Sequence, residues 1–166
     1  MHSDEFLTKF LLFALLLAVS ASAAATGSGT IVMNGKTATV AEAYAYRHTS
    51  PNDRSTTLTT IVVSDRTVDP NSWATNDDPD KALHAQLKRL RAVYWEAILN
   101  GDGTVRTTNA VWPGVLELRG SGTNSDVHVT QNNAKHIEGS YRSLDEQPKE
   151  LTSGVEYFDL KFSVDF

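Results

Sequence analysis

Apolar and polar residues alternate most cleanly at the end of the chain. Phe158, Leu160, Phe162, Val164 and Phe166 are spaced two apart, with Asp159, Lys161, Ser163 and Asp165 between them. Successive strand side chains point to opposite faces, so Val155–Phe166 is predicted to be a strand with one face in a core. Ile31-Val-Met33 and Lys36–Val40 flank Asn34-Gly35. Asn-Gly is the strongest two-residue hairpin signal, because a type I′ turn needs φ > 0 at both centres. That register sets Met33 opposite Lys36 and Ile31 opposite Ala38. Thr26-Gly-Ser-Gly29 reads as a flexible lead-in, and Ala41–Arg47 as an extended continuation with Tyr44 and Tyr46 on one side. Thr57–Ser64 is β-branched around Ile61-Val62-Val63, which suits a strand buried on both faces.

One segment changes period. Leu83, Leu87 and Leu90 recur at helical spacing after Asp78-Pro79-Asp80. Asp78 can cap the helix, Pro79 is tolerated in its first turn, and Asp80 suits its dipole. Lys88, Arg89 and Arg91 suit the other end, and a break is expected near Arg91–Ala92. Val93–Leu99 and Thr104–Trp112 then form a hairpin around Asn100-Gly-Asp-Gly103, with Ile98 opposite Val105 and Leu99 opposite Thr104. Val115–Leu118 is a further strand. Asp126–Thr130 and Ala134–Tyr141 make another hairpin around Gln131–Asn133, and Ser143–Ser153 is a polar loop. The expected fold is mainly β (α+β), an antiparallel sandwich or open barrel of about 8–10 short strands with one helix near 79–91.

The N-terminus has a different pattern. Phe10–Val19 is an uninterrupted apolar run, followed by the small residues Ser20–Ala25. Ala21-Ser22-Ala23 fits a signal-peptidase site, with Ala23–Ala25 as a competitor, so residues 1–23 read as a secretory signal peptide. The run is shorter than the roughly 20 residues needed to span a bilayer. Asp4 and Glu5 offset Lys9, so the leading segment is not clearly basic, and a retained anchor helix is the alternative. Residues 24–166 form a single β-rich domain, expected to be secreted or periplasmic.

Composition narrows the classes. The 166 residues include no cysteine, which excludes disulfides, thiolate zinc sites, thiol nucleophiles and a lipid-anchor cysteine. At 40% hydrophobic the chain is too apolar for disorder. A net charge of -5, from 15 Lys plus Arg against 20 Asp plus Glu, argues against nucleic acid as a partner. A domain of about 150 residues buries about 70% of its unfolded surface, enough to fold without staples.

Several stretches carry a resemblance. Gly29-Thr-Ile-Val-Met-Asn-Gly-Lys36 is followed by Ala43-Tyr-Ala45, Ile61-Val-Val-Ser-Asp65, Ile137-Glu-Gly139 and Tyr157-Phe-Asp-Leu-Lys-Phe162. Together they resemble a group of secreted bacterial β-rich proteins with no assigned activity. The resemblance implies a secreted β domain and no site.

The chemistry-bearing candidates are few. A three-residue loop at Gln131–Asn133 would set His128 opposite His136 and Asp126 opposite Glu138, all on one face. Two imidazoles and two carboxylates at cross-strand distance could bind a divalent metal such as Zn²⁺, Cu²⁺ or Ni²⁺. A solvated polar face explains the same residues. Asp65, Asp69, Asp77, Asp78, Asp80 and Asp102 could offer oxygens to calcium, although helix capping and turn chemistry account for most of them. Trp73, in an expected loop, raises sugar stacking, while Trp95 and Trp112 are expected in or near the core. No G-x-S-x-G elbow occurs. The expected function is an exported, non-catalytic β domain that binds an unidentified ligand or envelope protein, with no membrane contact after signal cleavage. The alternatives are a metal-assisted hydrolase using His128 and His136, and a small outer-membrane β-barrel, since a membrane strand needs only about 9–11 residues.

Overall fold

A computed structural model describes residues 25–114, 116–121, 127–143, 149–151 and 154–166. The predicted signal segment, Asp126 and much of the expected 143–153 loop lie outside the described residues. The strands are β1 (Thr26–Met33), β2 (Lys36–Val40), β3 (Glu42–Thr49), β4 (Thr57–Ser64), β5 (Tyr94–Leu99), β6 (Val105–Trp112), β7 (Leu116–Ser121), β8 (Val127–Asn132), β9 (His136–Arg142), β10 (Lys149–Leu151) and β11 (Gly154–Asp165). A 3₁₀ turn spans Pro70–Ser72, and helix α1 spans Pro79–Leu90.

The strands form two antiparallel sheets. The first runs β2-β1-β11-β9-β8 with β10 against β11, and the second runs β3-β4-β5-β6-β7. Ile31, Met33, Ile137, Leu160 and Phe162 of the first sheet share one apolar cluster with Ile61, Val63, Trp95, Ala97 and Leu99 of the second. The fold is therefore an open sandwich, and no closed barrel forms among the described strands. The chain changes sheets at Ala41, so the hairpin strand β2 and the extended stretch that follows it, β3, lie in different layers.

The expected Asn34-Gly35 register holds, with Met33 opposite Lys36 and Ile31 opposite Ala38. The Gly-rich lead-in is a paired strand instead, because glycine permits close backbone approach. A Cβ on Gly29, whose φ is +130°, would collide with the Asp159 carbonyl oxygen of β11. The second hairpin is displaced: Leu99 faces Val105 and Ile98 faces Thr107, with Arg106 as the extra residue of a β-bulge.

Helix α1 starts and stops as its sequence indicates. The Asp78 side chain accepts a hydrogen bond from the Lys81 N–H at 3.0 Å, and Arg91 ends the helix in the left-handed conformation. Leu83 and Leu87 point inward and join Tyr44, Tyr46, Val62, Val68, Trp73 and Ala92 in a second cluster. This cluster lies on the outer face of the second sheet, so β4 is buried on both sides as Ile61-Val62-Val63 suggests. Trp73 is also core: it is 5% exposed, edge-on to Tyr44 and Tyr46. Indole burial there removes it as a sugar platform. Among the described residues, no helix is long and apolar enough to cross a membrane.

Candidate functional site

Strand alternation fixes which side chains face α1. Tyr44 of β3, Val62 of β4, Glu96 of β5 and Asn109 of β6 are cross-strand neighbours in one row. Tyr46 and Thr60 stand in the next. Glu96 interrupts the apolar strand Tyr94–Leu99 and is 4% exposed. A buried carboxylate is costly unless paired. Its partner comes from the helix, where Asp80 and His84 are spaced i, i+4 and so share a face.

His84 Nε2 stands 2.9 Å from Glu96 Oε1. The distance suits a hydrogen bond, but Oε1 has no aligned donor, so the contact is an ion pair. His84 Nδ1 lies 2.8 Å from the Asp80 carbonyl oxygen. That oxygen only accepts, so Nδ1 carries the proton of this bond. The Asn109 amide donates to Glu96 Oε2 at 2.8 Å, and the Tyr46 hydroxyl donates to Asp80 Oδ1 at 2.6 Å. His48, one strand away, bonds through Nε2 to the Thr60 hydroxyl at 3.0 Å.

Titration follows this geometry. The adjoining Glu96 carboxylate raises His84 to about 9, overcoming the opposing effect of burial. Burial drives Glu96 upward, but the His84 contact, the Asn109 amide and the His48 charge together hold it below the ordinary carboxylate range. Burial and the Asp80 carboxylate raise Tyr46, which therefore stays a neutral donor. One donor atom from each of Asp80, His84 and Glu96 lies within 4.8 Å of the other two, a grouping that could chelate a divalent metal.

A cleft of about 690 Å³ opens beside this cluster. Asp77–Asp80 at the start of α1 form one wall, and Arg47, His48, Leu58, Ile98 and Arg106 of the sheet form the other. Asp80 belongs to both cleft and cluster. The bulge brings Arg106 into the cleft wall.

The metal residues expected from sequence sit elsewhere, on the outer face of the first sheet. The β8–β9 register sets His128 opposite Ser140 and Gln131 opposite Glu138, because the turn lies at Asn133–His136 and not at Gln131–Asn133, and a bulge between Val129 and Gln131 shifts the pairing by one residue. His128 and His136 are therefore not a cross-strand pair, and Asp126 lies outside the described residues. His136 remains near Glu138, with Nε2 3.8 Å from Oε2. Its nearest partner is Asp165, whose Oδ1 is 2.6 Å from Nδ1, and Ser163 Oγ stands 3.4 Å from Nε2. This is the contact order of an acyl-transfer triad. Ser163, however, lies within a strand paired on both sides, where the ladders engage the backbone N–H groups an oxyanion would need.

Of the six aspartates considered for calcium, four accept backbone hydrogen bonds. Asp65 accepts from the Val93 N–H, Asp69 from Asn71, Asp78 from Lys81 and Asp102 from Thr104. The cluster under α1 escaped sequence reasoning, although two signals pointed to it: a lone glutamate inside an apolar strand, and Asp80 four residues before His84. No known protein family, curated protein or solved structure matches this chain.

Proposed function

We propose that this chain is an exported, non-catalytic β-sandwich domain that binds a small ligand on the helix-covered face of its second sheet. One observation carries the reading. The cleft at the start of α1 is of a size suited to a small molecule and adjoins a buried carboxylate–imidazole pair. Ligand sites combine an apolar wall with a few placed polar groups. Leu58 and Ile98 supply the first, and Asp80, His48 and Arg106 the second. Export is supported by the apolar run Phe10–Val19 with its small-residue sequel.

A fragment screen by amide NMR on the purified protein tests this reading. Bound fragments should shift resonances of Thr49, Leu58, Asp80, Ile98 and Arg106. Replacing Ile98 by Trp, which fills the cleft, should abolish those shifts. Fragment shifts confined to other surfaces, or none at all, would refute it.

A further inference from the structure

We infer that the ligand of this face includes a first-row divalent cation of the zinc class, held by Asp80, His84 and Glu96. The inference rests on the proposed binding face and names what binds there. Each of the three residues has one polar atom committed to a supporting partner and a second that is not, and two of these second atoms, His84 Nε2 and Glu96 Oε1, already face each other at 2.9 Å. His84 Nδ1 donates to the Asp80 carbonyl, which leaves Nε2. Asn109 holds Glu96 Oε2, which leaves Oε1 without a hydrogen bond although the residue is 4% exposed. Tyr46 holds Asp80 Oδ1, which leaves Oδ2. Metal-binding histidines donate their second ring N–H to a carbonyl or carboxylate, and ligating carboxylates are themselves hydrogen-bonded. The supporting shell of a metal site is thus in place around all three residues.

The donor set selects the ion. One imidazole nitrogen with two carboxylates suits Zn²⁺ or a neighbouring first-row cation. Calcium takes six to eight oxygens, and Asp80 and Glu96 fall short of that. Two donors on one tetrahedral zinc ion stand about 3.3–3.6 Å apart, given bonds of about 2.0–2.2 Å. The donor atoms lie within 4.8 Å of one another, so binding draws the widest pair together by up to about 1.5 Å. Three protein ligands leave a coordination position free, and Asp80 places the cluster at the cleft wall.

Without metal, the His84 imidazolium balances the charge of the buried Glu96 carboxylate. Binding transfers the imidazolium's Nε2 proton to solvent and puts the cation in its place.

Zinc titration followed by ¹⁵N NMR of the histidine rings tests the inference on the purified protein. The His84 ring resonances should move and saturate at one equivalent of Zn²⁺, with His48, His128 and His136 unmoved. Calorimetry should show at least tenfold weaker binding for His84→Gln and Glu96→Gln, and unchanged binding for His136→Gln. Asp80→Asn, on the partly exposed helix start, should also weaken binding if either buried variant fails to fold. Zinc that shifts His136 or His128 instead of His84 overturns the inference, as does a protein that takes up no zinc. Absence of zinc binding alongside fragment shifts in the cleft would remove the metal and leave the binding face standing. Failure of both would remove the face as well.

Discussion

Removing the charge on His84 should flatten the alkaline limb of the stability profile. The imidazole titrates near 9 in the folded chain against an ordinary 6.5. A raised value means that the stabilisation is complete below 6.5 and is lost as pH rises through 9. Glu96 is displaced downward, so its share is present above the ordinary carboxylate value and disappears in acid. Both describe one ion pair, counted once. At 1.36 kcal/mol per decade of proton affinity, the His84 displacement corresponds to about 3 kcal/mol. The imidazole side chain is 28% exposed, and solvent screening reduces this to about 1–2 kcal/mol. Urea unfolding between pH 6 and 9.5 measures it, below the range where ordinary tyrosines titrate. The wild type should lose about 1–2 kcal/mol across that interval, and His84→Gln should lose almost none of it. Parallel profiles for the two proteins would refute the buried pair as a source of stability.

Other perturbations have defined signs. Arg91→Gly should stabilise by about 0.5–1 kcal/mol in thermal melts, because Arg91 holds φ 53° at the helix end, where glycine is favoured. Trp73→Ala should cost about 3–5 kcal/mol in denaturant titration, since its ring fills the space between α1 and β3. Gly29→Ala should cost about 3 kcal/mol or more by the same titration, because the new methyl meets the β11 backbone and its φ is positive. A neutral outcome at Gly29 would contradict the β1–β11 register.

The strands were legible where side-chain period and turn chemistry agree. Asn34-Gly35 specified its own register, and Thr57–Ser64 declared burial on both faces before its neighbours were known. The ends of α1 were equally plain, because Asp78, Pro79 and the basic last turn act locally. Pairing was misjudged where the turn sat elsewhere than its residues suggested, or where a bulge intervened. The β5–β6 pairing shifts by one residue at its turn and by another at Arg106, and the β8–β9 turn at Asn133–His136 separates His128 from His136. The same limit hid the site. Asp80 and His84 are neighbours on one helix, but Glu96 reaches them only because α1 folds back over β5. Neither residue type nor spacing records a contact between a helix and the strand that follows it. A buried glutamate within Tyr94–Leu99 announced only that some partner had to exist.

Anomalous diffraction from crystals soaked in zinc, collected across the zinc absorption edge, tests the binding centre most directly. The expected result is one strong anomalous peak about 2.0–2.2 Å from His84 Nε2 and from carboxylate oxygens of Glu96 and Asp80. A peak at His136 and Asp165 instead, or a zinc-free cluster with Glu96 still paired to His84, would contradict it.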